Sequence, residues 1–112
     1  MMSPGQKQRA YKSFLDFFAY DWVQLPAVVA IVNEVVGFEP YGEVTPEARE
    51  FVAALIEEEK VVVGSLDHDA RFAAWSDSKS VQLKRVMDQM PIGGLNRNEQ
   101  LVWFDSPQRE KP

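Results

Sequence analysis

From Tyr11 onward the apolar positions Phe14, Leu15, Phe18 and Trp22 recur at near-helical spacing, and Phe17 widens the stripe. Side chains three and four residues apart share one helix face, so the pattern predicts an amphipathic helix over residues 5–20 with a strongly aromatic buried side. Asp21-Trp22-Val23-Gln24-Leu25 then reads as a short strand handed directly to a second helix. Pro26 lacks an N–H and has its φ preset, which suits the first turn of that helix. The helix carries Val28, Val29, Ile31, Val32, Val35 and Val36 and stops at Gly37. It is apolar nearly all round, so it should be the central one.

A polar loop from Phe38 to Val44 leads to Thr45, a natural N-cap, and Pro46, a natural first helical residue. Glu47 and Glu50 fall where the positive end of the helix dipole favours anions. Ala48, Phe51, Val52, Leu55 and Ile56 form the inward stripe, which leaves Glu47, Glu50, Glu57 and Glu58 for solvent. Val61-Val62-Val63 and Arg71-Phe72-Ala73-Ala74-Trp75 predict a β-hairpin joined through Gly64 to Ala70. Beyond it, Ser78 or Ser80 can cap a helix in which Leu83, Val86, Met87 and Met90 share a face, ended by Pro91 and Gly93-Gly94. Leu101-Val102-Trp103-Phe104 predicts a last strand that joins the small sheet or packs against it, followed by a frayed tail over 105–112.

The order helix, short strand, helix, helix, hairpin resembles winged-helix domains in general. The residues that carry the resemblance are Asp21-Trp22-Val23-x-Leu25, the run from Leu55-Ile56-Glu57-Glu58-Glu59-Lys60 into Val61-Val62-Val63-Gly64, and Phe72-x-x-Trp75. The chain also resembles small uncharacterised bacterial proteins that end in a Trp-Phe strand, as Trp103-Phe104 does here. The resemblance implies an α+β, winged-helix-like fold with an added C-terminal helix and strand, in which residues 21–25 pair with the 61–75 hairpin and that hairpin is the wing. It implies no activity.

Composition sets the outer bounds. The 112 residues, 46% of them hydrophobic, amount to a single domain over 1–112 that can bury a core without disulfides or a structural metal. There is no cysteine, so thiol nucleophiles and cysteine metal sites are excluded. No apolar stretch approaches the roughly 20 residues that span a bilayer, and the expectation is a soluble, cytoplasmic protein.

Charge changes the picture more than composition does. The net charge of −5 is concentrated in residues 34–59, which hold eight acids against the single cation Arg49, while the segments on either side are each close to neutral. In a winged helix the helix from Thr45 to Glu59 would read DNA, and a phosphate backbone would repel this one.

Catalytic chemistry is weakly represented. His68, the only histidine, is flanked by Asp67 and Asp69 where a hairpin turn is needed, and aspartates suit turns because they bond their own backbone. Glu57, Glu58 and Glu59 fan out around a helix and so lack the close approach that splits two carboxyl pKa values. Gly93-Gly94 precedes no lysine in phosphate-loop spacing. Trp22, Trp75 and Trp103 are expected to fill core, and a ligand cavity, if there is one, is expected at the sheet end near Trp75 and Trp103. These readings predict no enzyme, no cofactor and no metal.

The expected function is therefore a non-enzymatic protein-interaction module. Its candidate partner-binding residues are Glu39, Glu43, Glu47, Glu50, Glu57 and Glu58, which would hold a basic protein partner. An immunity-type protein that neutralises a basic toxin is a specific form of that reading. The alternative is a DNA-binding regulator using Lys79, Lys84 and Arg85 with Arg71 on the wing, although four cations are few beside the roughly 6–10 phosphate contacts typical of such proteins. A small-ligand sensor is a third class.

Overall fold

The structure, a computed structural model, describes residues 2–18, 22–39, 42–94 and 102–107. Expectations that rest on residues 19–21, Tyr41, Leu101 or 108–112 lie outside the described residues. In chain order the elements are α1 (Pro4–Phe18), β1 (Val23–Gln24), α2 (Leu25–Val36), α3 (Pro46–Glu57), β2 (Val62–Leu66), β3 (Phe72–Ala74), α4 (Lys79–Asp88) and β4 (Trp103–Asp105). The fold is α+β, with helices packed on one antiparallel sheet.

Each helix start has a local cause. Before α1, Ser3 Oγ accepts from the Gln6 N–H at 3.2 Å and Gln6 Oε1 accepts from the Ser3 N–H at 2.9 Å, a reciprocal capping box. Pro26 sits in the first turn of α2, and the Leu25 N–H donates to the Val102 carbonyl at 3.2 Å. The Thr45 side chain caps α3 and the Ser78 side chain caps α4. Gly37 closes α2 in the left-handed region at φ 76°, where the absence of a Cβ removes the steric cost.

Packing centres on α2, whose Leu25, Val28, Val29 and Val32 are fully buried between α1, α3 and the sheet. On α1 the buried row is Ala10, Phe14 and Phe18 alone, one turn apart. Leu15 and Phe17, expected in that face, remain 44% and 52% exposed because they project to either side of the row. The expected stripe of α3, Ala48, Phe51, Val52, Leu55 and Ile56, is buried throughout. Asn33 is the buried polar exception on α2. It accepts from Thr45 Oγ1 at 2.8 Å and donates to the Glu43 carbonyl at 2.6 Å, so it ties the loop ahead of α3 to the central helix.

The sheet order is β1-β4-β2-β3. The expected direct pairing of residues 21–25 with the hairpin is replaced by an insertion, since β4 lies between β1 and β2 and pairs antiparallel with both. Val23, Phe104 and Val63 form one row across the three strands, at 2%, 0% and 2% exposure. A two-residue β1 beside the hairpin alone would leave that row without its largest member, and Phe104 in the middle supplies it. Asp105, assigned to the tail by sequence, is the buried last residue of β4. Gly64 faces Trp103 on one side and Ala74 on the other, and a Cβ there would lie 2.3 Å from the Ala73 carbonyl oxygen. Only glycine fits this crossing point.

Candidate functional site

The six acids singled out by sequence fall into two groups. Glu39 and Glu43 are exposed on the segment that enters α3, and Glu47, Glu50, Glu57 and Glu58 belong to α3 or its C-cap. Glu57 and Glu58 are exposed, whereas Glu47 and Glu50, expected to face solvent, are half-buried. The Glu50 carboxylate is held by the Lys7 ammonium of α1 at 3.4 Å. That pair bridges two helices.

Arg49, the only cation of this segment, points elsewhere. Its Nη1 donates to the Met87 carbonyl at 3.1 Å and also to the Met90 carbonyl, so its charge closes the C-terminal end of α4.

The C-terminal end of α3 departs from local preference twice. Glu57, Glu58 and Glu59 cluster where the helix dipole is negative and favours cations. The chain also ends the helix with a Schellman-type pair, Lys60 N–H to the Leu55 carbonyl at 2.9 Å and Glu59 N–H to the Ile56 carbonyl at 3.1 Å, which forces Glu59 to φ 57°. Glycine is the residue that this position prefers. Lys79 offsets part of the repulsion, with its ammonium 3.1 Å from the Glu57 carbonyl oxygen and 3.9 Å from a Glu59 carboxylate oxygen.

The cations of the alternative, DNA-binding reading are largely engaged within the molecule. The Arg85 guanidinium carbon lies 3.7 Å from the Trp75 ring centroid, and the same group is paired with Asp77. Gln82 reinforces this corner by donating to the Asp77 carbonyl at 2.8 Å. Lys84 pairs with Asp88 one turn on, at 3.0 Å, and Lys79 serves the end of α3. Arg71 is exposed at the base of the hairpin loop.

That loop is a turn. Asp67 Oδ1 accepts from the Asp69 N–H at 2.8 Å and the Arg71 N–H at 3.0 Å, and Ala70 takes the left-handed position at φ 59°. The His68 side chain is 90% exposed and lies 3.4 Å from the Asp69 carboxylate. Among the described residues no three histidine or acidic side chains converge as a metal site would require, and no helix is long and apolar enough to cross a membrane.

A groove of about 310 Å³ opens between α1 and α3. Met2, Phe51 and Leu55 form its apolar floor, and Lys7 and Tyr11 stand on one wall with Glu50, Ala54 and Glu58 on the other. Lys60 closes one end, its ammonium 5.9 Å from the Tyr11 ring centroid. This groove lies between two helices and not at the sheet end near Trp75 and Trp103. Trp22, Trp75 and Trp103, expected as buried core, are all half-buried: Trp22 lies against Phe72 with ring centroids 6.0 Å apart, and Trp75 donates to Ser65 Oγ at 3.0 Å. Lys7 and Tyr11 share one α1 face at i, i+4, which was visible in the sequence. Their position opposite Glu50 and Ala54 depends on how α1 and α3 both pack on α2.

Neither a scan against protein-family models nor searches of curated proteins and of solved structures finds a match to this chain.

Proposed function

We propose that the protein is a non-enzymatic interaction module whose acidic α3 surface holds a basic protein partner. The observation that carries this reading is the end of α3. Three consecutive glutamates sit at the negative pole of the helix, one of them in the left-handed region, and this combination works against the helix that bears it. Local rules are most often broken where a surface serves a partner, and a cationic surface docked there would reverse the cost. Blocking of a basic, nucleic-acid-handling toxin, as an immunity-type protein would do, is the specific form we favour. The order of the first six elements resembles that of a winged helix, yet the cations at Lys79, Lys84 and Arg85 are held by Glu59, Asp88 and Asp77, which weakens the DNA-binding alternative.

A lysine-rich peptide and a DNA duplex, each titrated at low salt, test the reading together. The expected result is salt-sensitive peptide binding, no mobility shift of the duplex, and loss of peptide binding in the combined Glu47→Lys, Glu50→Lys and Glu58→Lys variant with its helical circular dichroism retained. Sub-micromolar duplex binding that falls steeply with salt would replace this reading with the regulator.

A further inference from the structure

The two edges of the sheet are finished differently. At one edge β1 has only two residues before the chain turns into α2 around Pro26, so little backbone is left open to another strand. At the other edge lies β3. The Trp75 N–H donates to the Val63 carbonyl at 2.9 Å and the Arg71 carbonyl accepts from the Asp67 N–H at 2.8 Å, so Arg71, Ala73 and Trp75 turn their backbone groups towards β2. Phe72 and Ala74 alternate with them and turn theirs outward, where no strand follows among the described residues. Ala73 and Ala74 point to opposite faces of the sheet and both are exposed, so neither face shields the edge. Proline, a bulge or a charge within the strand normally guards such a row, and Phe72-Ala73-Ala74 has none of them.

Open backbone of this kind accepts an extended strand, and charge decides whose. Residues 69–79 carry four charges, Asp69, Arg71, Asp77 and Lys79. A two-fold axis at Ala74, through an antiparallel pair of β3 strands from two copies, sets each charge against its opposite: Arg71 against Asp77 and Asp69 against Lys79. Centred one residue earlier, at Ala73, the same pairing would set Asp69 against Asp77 and Arg71 against Trp75. The register at Ala74 also places the small Ala73 opposite the large Trp75. It lets the two Ala74 residues exchange N–H to carbonyl bonds on the axis, with Phe72 and Ser76 doing the same on either side. Both members of the inner charge pair have room for it. Arg71 is exposed and its side chain has no ion pair among the described residues, and Asp77, although Arg85 holds its Oδ2, keeps Oδ1 for a second guanidinium. The outer pair acts at longer range, since Lys79 also serves the end of α3.

We infer that β3 is a homodimer seam, in which two copies of the chain pair their β3 strands antiparallel about Ala74 and join their four-stranded sheets into one. The inference does not depend on the proposed function.

The chain has no cysteine, so a single introduced one reports the register directly. In a pair centred on Ala74 the two Cα atoms of position 74 lie roughly 5.5 Å apart, within disulfide reach, whereas those of position 73 lie roughly 7–8 Å apart, beyond it. Under mild oxidation Ala74→Cys should give a covalent dimer about tenfold faster than Ala73→Cys, or more. In sedimentation velocity the unmodified protein should pass from monomer to dimer as its concentration rises through the micromolar range. Arg71→Glu, at an exposed position, should weaken that dimer about tenfold or more at low salt and less at high salt. Ala74→Pro removes the N–H on the axis but costs the monomer no hydrogen bond, because that group faces outward, and it should leave a monomer with unchanged circular dichroism. Should it unfold the protein instead, Arg71→Glu and the two cysteine variants decide. Faster crosslinking through Ala73→Cys would overturn this register and the charge pairing with it. A protein that stays monomeric at millimolar concentration, or a dimer indifferent to both Ala74→Pro and Arg71→Glu, would overturn the seam altogether.

Discussion

The ends of α2 and α3 have the same backbone geometry and opposite chemistry. At α2 the Phe38 N–H reaches back to the Asn33 carbonyl at 2.9 Å and Gly37 takes φ 76°. At α3 the Lys60 N–H reaches the Leu55 carbonyl at 2.9 Å and Glu59 takes φ 57°. The first end uses the residue that the conformation favours. The second uses a charged residue with a Cβ, after two further glutamates on the pole that repels them. A helix end that only had to stop would be expected to look like α2, and this contrast is what the proposed interaction surface at α3 rests on.

The strongest challenge to that contrast would be a difference in how well the two helices are buried. Val32 and Leu55, at 0% and 3% exposure, face the same core. Changing either to Ala should destabilise the protein by about 2–4 kcal/mol in denaturant melts, the valine nearer the low end. A loss below about half a kcal/mol at Leu55 alone would mean that α3 is loosely held, and its irregular end would then need no functional cause.

Smaller effects test the ends directly. Gly37→Ala should cost about 1 kcal/mol, because alanine in the left-handed region is penalised by roughly 1–2 kcal/mol and regains part of that from a less flexible unfolded chain. Glu59→Gly should act in the opposite direction and raise stability by up to about 1 kcal/mol, since the exposed contact with Lys79 that it removes is worth little. If Glu59→Gly also weakens binding to the lysine-rich peptide, stability and function are opposed at this one position. If it destabilises instead, the left-handed geometry is not the cost assigned to it here.

The smallest expected effect is electrostatic. Glu57→Gln and Glu58→Gln should each raise the melting temperature slightly, by an amount equivalent to a few tenths of a kcal/mol, through relief at the negative pole of α3. The gain should shrink with added salt. A gain that persists in high salt would point to helix propensity rather than to the dipole.

Much of the fold could be read from local pattern. Thr45-Pro46 and Ser78 mark helix starts whose caps form within three residues, so the information is contiguous in the chain. The Ser3-Pro4-Gly5-Gln6 box was equally legible and belongs to the same class of signal. The acidic bias of residues 34–59 could be seen by counting. It did not reveal that Glu50 is tied to Lys7 or that Arg49 is spent on α4, because those partners lie 43 and 38 residues away.

What the sequence determined by itself is the set of elements, the helix starts and the charge on α3, since periodicity, caps and composition act over a few residues. The tertiary structure decided the rest. It put β4 between β1 and β2, narrowed the buried face of α1 to Ala10, Phe14 and Phe18, left a groove beside Ala54, and required a left-handed Glu59. Each depends on which distant surfaces come together, and local propensity does not encode that choice. Burial of Val23, Phe104 and Val63 in one row decides it, through apolar area that exists only once all three strands are in place.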